Sequence, residues 1–144
     1  MILGSEQDTA AFGEQLARRA RCGDVIALSG PLGVGKTTLV RGILAGLGHR
    51  DEVPSPSFAI VQPYPTTDPP AWHVDLYRVE DPSELEELGL DDSDGAVMLI
   101  EWPERAGEQA WPEALGLSLD FAQGGARRLT ARVPPAWEDR WPVR

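Results

Sequence analysis

The stretch Gly30-Pro31-Leu32-Gly33-Val34-Gly35-Lys36-Thr37 decides how the rest of the chain is read. It fits G-x-x-x-x-G-K-[ST], the pattern of a phosphate-binding loop. Its chemistry follows from its ligand. A nucleoside triphosphate is a dense polyanion, so backbone N–H groups must converge on it, and glycines leave out the Cβ atoms that would obstruct them. The following helix turns its free N–H groups and positive dipole end to the same phosphates. Lys36 can set an ammonium on the outer phosphates, Thr37 offers a hydroxyl to a divalent cation, and Thr38 another to a phosphate oxygen. Context supports the match. Asp24 to Ser29 is a short apolar run rich in strand formers, and Leu39, Val40, Ile43, Leu44 and Leu47 recur at helical spacing. Lys36 is also the only lysine in the chain.

At 144 residues the chain is expected to form one domain, 1–133, with an irregular tail over 134–144. No apolar run approaches bilayer length, and the N-terminus lacks a signal-peptide pattern, so a cytoplasmic address and no membrane contact are expected. A lone cysteine, Cys22, excludes an internal disulfide and a cysteine-built metal site. The net charge of −10 argues against stable nucleic-acid binding by the chain alone, which wants clustered Lys and Arg. Acid concentrates in 80–94, where eight acidic residues meet no basic one. That run reads as a solvated face or as a docking face for a basic partner.

Taken in order, residues 1–3 suit an edge strand. Ser5 suits a helix N-cap, with Phe12, Leu16 and Ala20 on one face, Arg18, Arg19 and Arg21 near the C-terminal end, and Gly23 as the stop. Beyond the phosphate loop, strands are expected over 58–64, 71–77 and 96–100, with a short acidic helix over 82–88 and a helical turn over 103–109. Residues 115–121 and 127–133 read as strands paired around Gln123-Gly124-Gly125. Helices and strands alternate early and strands dominate late. The pattern implies an α/β three-layer P-loop fold with a mixed sheet, parallel near the nucleotide and antiparallel at one edge.

Such a site also needs an acid at a neighbouring strand tip to hold Mg²⁺ or to place the attacking water. Val97-Met98-Leu99-Ile100-Glu101 supplies one and Trp72-His73-Val74-Asp75 another. The residues alone leave open which carboxylate touches the metal. His73 is open between a proton shuttle, a metal ligand and a buried supporting residue, the last being expected of a lone strand histidine.

Together with the phosphate loop, Ser55-Pro56-Ser57-Phe58, then His73-Val74-Asp75-Leu76-Tyr77-Arg78, then Glu101-Trp102-Pro103-Glu104 resemble the TsaE family, formerly YjeE. The resemblance runs from Ser5 to about Val133. It implies a small bacterial ATPase, slow on its own, needed to make N6-threonylcarbamoyladenosine in tRNA with a partner pair, TsaB and TsaD. It implies that Gly33, Val34, Gly35, Lys36, Thr37 and Thr38 hold the ATP phosphates, and that Thr37 and Glu101 hold Mg²⁺. Ser55 and Ser57 would sit in a first switch-like loop. His73, Tyr77 and Arg78 would belong to a second, with Asp75 catalytic alongside Lys36 and Glu101. Glu6, Thr9, Trp102, Glu104 and Arg127 or Arg128 would border the nucleotide. Two departures stand out: Ser57 where the family usually has Thr, and Pro31 where it commonly has an acid.

Rival readings meet specific obstacles. Guanine selection by Asn/Thr-Lys-x-Asp is impossible, because the chain has no asparagine and its one lysine is in the loop. A small-molecule kinase, the alternative, would need an acceptor pocket and usually an arginine-bearing lid, for which 144 residues leave little room.

Overall fold

In a computed structural model the described residues are 1–53, 61–89, 95–107 and 110–141. The chain runs β1 (Ile2–Leu3), α1 (Glu6–Ala17), β2 (Val25–Ser29), α2 (Lys36–Gly46), β3 (Val61–Tyr64), β4 (Ala71–Asp75), β5 (Val97–Glu101), β6 (Leu115–Phe121) and β7 (Arg127–Arg132). Short 3₁₀ segments cover Pro82–Leu88, Pro103–Ala106, Gln123–Gly125 and Pro135–Trp137. One seven-stranded sheet has the order β1-β7-β6-β2-β5-β4-β3. Its centre is parallel, through the β6–β2, β2–β5 and β5–β4 pairs. Antiparallel pairs lie at both edges, β3 on β4 at one and β7 on β6 and β1 at the other, where only one antiparallel edge was expected. A strand pattern carries no direction, and the short link between Tyr64 and Ala71 turns β4 back along β3.

The strands sort by burial. Every residue of β5 is buried, as its unbroken apolar spelling requires for a central strand covered on both faces. One face packs against α1 and α2 through Phe12, Leu16, Leu39, Ile43, Leu99 and Leu117. The other face packs Val74, Met98 and Ile100 against Leu85, Ala106 and Trp111 from the 3₁₀ segments and their neighbours. Among the described residues this third layer therefore contains no α-helix.

The two helices approach closely because glycines line their contact. A Cβ at Gly42 would run into the Ala10 carbonyl oxygen, and one at Gly13 would lie 2.7 Å from the Leu39 carbonyl oxygen. Gly42→Ala is therefore expected to cost about 1–3 kcal/mol through overpacking, despite alanine's better helix propensity. Urea unfolding measures this, and a midpoint at or above wild type would show that the helices yield.

Ser5 caps α1 as expected, its Oγ accepting from the Asp8 N–H at 3.1 Å. The helix stops at Ala17 and not at Gly23. Long-range bonds take over there. Arg140 Nη1 donates to the Arg19 carbonyl at 2.8 Å and pairs with Asp24 at 2.7 Å, and Asp24 accepts from the Arg21 N–H. Arg140 also lies 3.8 Å from the centre of the Trp137 ring, and Trp137 is buried in the main core. Within the stretch expected as an irregular tail, Trp137 and Arg140 are thus held against the core and the link between α1 and β2.

Candidate functional site

Parallel pairing brings three strand tips to one level. Leu28 of β2 sits opposite Glu101, and Asp75 of β4 sits opposite Glu101 from the other side. Ligands of open α/β sheets bind beyond such carboxyl ends. Gly30 to Gly35 span the tip of β2, and α2 starts at Lys36 with Gly35 as its N-cap. Gly33 and Gly35 have φ of 78° and 117°, left-handed values that glycine adopts without strain. A cleft of about 400 Å³ opens above, lined by all six predicted phosphate-binding residues and by Asp75 and Glu101.

Lys36 is 5% exposed. Its ammonium donates to the carbonyl oxygens of Gly30 and Pro31 and lies 4.0 Å from the centre of the Trp102 ring. Burial pushes its pKa down, against the pull of Glu101, Glu104 and Asp75. Pro31 thus serves the site through its carbonyl, which its missing N–H does not affect. The Thr37 hydroxyl lies 3.4 Å from each oxygen of Glu101. A hydroxyl and a carboxylate are hard oxygen donors. They fit Mg²⁺, which takes few protein ligands and keeps phosphates and waters for the rest.

Asp75 accepts from the Tyr77 N–H at 3.0 Å. Burial raises its pKa, the Tyr77 bond opposes that, and the Glu101 charge adds to it. His73 is fully buried, and its Nε2 lies 2.7 Å from Glu101 Oε2. It lines no part of the cleft.

The outer residues divide. Glu6, Thr9, Tyr77, Arg78, Trp102 and Arg127 line the cleft. Glu104 does not; it is exposed on the 3₁₀ segment after Trp102 and borders a separate groove over Gly116 and Ser118. Arg127 and Arg128 alternate across β7. Arg127 Nε donates to the Val34 carbonyl at 2.7 Å and so braces the phosphate loop, while Arg128 points to a groove beside Ile2. Ser55 and Ser57 lie outside the described residues. Sequence reasoning missed Ser5, Leu32 and Gly125 as lining residues. Ser5 had a complete explanation as a helix cap, and Gly125 lies about ninety residues from the loop, with no local signal linking them.

Trp102 has φ of 59°, left-handed and unusual for a bulky residue. Its N–H donates to the Leu28 carbonyl at 3.2 Å. Its ring meets Tyr77 with centroids 5.0 Å apart. The turn therefore sets an aromatic wall between Lys36 and the β4 tip.

Comparison with known proteins is consistent along nearly the whole chain. A family model described as "Threonylcarbamoyl adenosine biosynthesis protein TsaE" matches residues 3–129. A Streptomyces coelicolor protein named tRNA threonylcarbamoyladenosine biosynthesis protein TsaE is 44% identical over 117 residues, covering 78% of this chain and 79% of the relative. A Bacillus subtilis protein of the same name is 39% identical over 126 residues, covering 86% and 78%. The crystal structure of Bacillus subtilis YdiB superposes with a TM-score of 0.82 at 30% identity, over 97% of this chain and 88% of that one.

Proposed function

This chain belongs to the TsaE family, and from that premise we propose that it binds ATP with Mg²⁺ in the cleft at the strand tips. Hydrolysis there drives or resets a TsaB–TsaD complex that makes N6-threonylcarbamoyladenosine in tRNA. One observation carries the reading: Lys36, Thr37, Glu101 and Asp75, from two neighbouring strand tips and one helix start, line a single cleft.

Lys36 and the first N–H groups of α2 neutralise the phosphates. Thr37 and Glu101 would hold Mg²⁺, which would supply charge neutralisation to the phosphates when bound. Asp75 orients the attacking water. Ionised Asp75 beside Glu101 is disfavoured by burial, which suits a group that accepts a proton or orients one. Tyr77 and Arg78, just past Asp75, face the same cleft and follow the outer phosphates as a switch segment. The partner complex then reads that segment.

Coupling is tested by turnover. Hydrolysis by the purified chain is expected to be slow, on the order of the unassisted rates of switch-type nucleotidases, and to rise at least about tenfold with TsaB and TsaD present. Unchanged turnover on adding both partners would remove the coupling and leave an autonomous ATPase.

A further inference from the structure

The geometry points to His73 as the positioning residue that aims the Glu101 carboxylate at Mg²⁺, an inference that rests on the Mg–ATP reading above. Glu101 is 3% exposed, so its carboxylate needs hydrogen bonds to offset lost hydration. Thr37 is 3.4 Å from both of its oxygens, too far to fix either. The 2.7 Å contact from His73 Nε2 to Oε2 is the short one. A carboxylate only accepts, so Nε2 carries the hydrogen, and Oε1 is left for the ion. With the Thr37 lone pairs turned to Mg²⁺, His73 would be the hydrogen-bond donor left on the Glu101 carboxylate among the described residues.

His73 is itself rigidly placed. It stands inside β4, opposite Leu99 of β5 on one side and Gln62 of β3 on the other. Its imidazole is wholly buried. Packing does not account for it, because Nδ1 is buried with no hydrogen-bond partner among the described residues. An apolar side chain would fill that space without orphaning a nitrogen. Nor does it reach the nucleotide: Nε2 is taken by Glu101, and the ring lines no part of the cleft. It acts through Glu101, as the partners behind a metal ligand commonly do. Because His73 and Asp75 share one strand, it also ties the metal carboxylate to the strand that carries the switch segment.

The test is calorimetric binding of a non-hydrolysable ATP analogue to the full chain across a Mg²⁺ titration, for wild type, His73→Leu, His73→Gln and His73→Asn. In H73L the Mg²⁺ concentration giving half of the affinity gain is expected to rise about 10–100-fold, while Mg²⁺-free affinity stays within about twofold. H73Q places an amide N–H near the Nε2 position and is expected to recover most of the loss. H73N falls one methylene short and is expected to behave like H73L, so the Gln–Asn pair decides the matter if H73L does not fold. An H73L midpoint equal to wild type, or H73Q no better than H73N, overturns the role. If wild-type affinity ignores Mg²⁺ altogether, the Mg–ATP reading fails first and takes this inference with it. If wild type responds and the variants respond alike, only the role of His73 falls.

Discussion

Lys36→Ala should reduce ATP hydrolysis at least about a hundredfold, the scale for removing one preorganised charge from a phosphoryl-transfer site. The side chain is unusually committed. It is nearly buried, sits over the Trp102 ring, and bonds to the carbonyls of its own loop, so the ammonium is aimed before any ligand arrives. The chain has no second lysine, and Arg127 is occupied with the Val34, Gly125 and Ala126 carbonyls. Stability should not fall with activity. Burial lowers the Lys36 pKa below 10.5, so the folded state holds that proton less well than the unfolded chain does. The charged form is therefore a cost to folding at neutral pH, relieved only as pH rises through the window up to 10.5. The alanine variant should melt no lower than wild type at pH 7. Full turnover by K36A would remove Lys36 from the mechanism. A large drop in melting temperature would mean that lost activity reports unfolding.

Asp75→Asn should cost about 10²–10⁴ in turnover while leaving ATP affinity within a few-fold. The amide keeps the shape and can still accept the Tyr77 N–H, but it can neither take a proton nor carry the charge that orients water. The same change should stabilise the fold. Burial, with the Glu101 charge beside it, raises the Asp75 pKa above 3.8, so the folded state binds this proton better than the unfolded chain. By linkage, that contribution falls as pH rises from 3.8 through the raised value, and the penalty is complete above it. D75N should therefore melt above wild type at pH 7, with the difference shrinking as pH falls toward 3.8. Steady-state kinetics, nucleotide titration and melting against pH check the three parts. Equal losses of turnover and affinity would make Asp75 a nucleotide-binding group and end its assignment to water.

Much of the site can be read directly from the sequence because its parts are local. Gly30 to Thr37 spell the loop, four apolar residues announce that Glu101 ends a buried strand, and Ser5 caps the helix it precedes. The surroundings of the two carboxylates differ in kind: Glu101 meets Thr37 across 64 residues, while Asp75 accepts from Tyr77 in its own turn. The role of His73 was equally hidden, since a strand histidine looks the same whether it packs or bonds. Its contact with Glu101 spans 28 residues and exists only because β4 and β5 pair in parallel at one register. Arg127 and Arg128 are identical in sequence terms, and only the pleat of β7 sends one to the phosphate loop and the other away.

By itself, then, the sequence determined the phosphate loop, the order of helices and strands, and which acids end strands, because backbone conformation and hydrophobic period are set by neighbours within a few residues. Only the tertiary structure decided the two antiparallel edges, the end of α1 under Arg140, and the pairing of Glu101 with Thr37 and His73. Each of these depends on which distant strands lie side by side, and that is fixed by burial of the whole sheet.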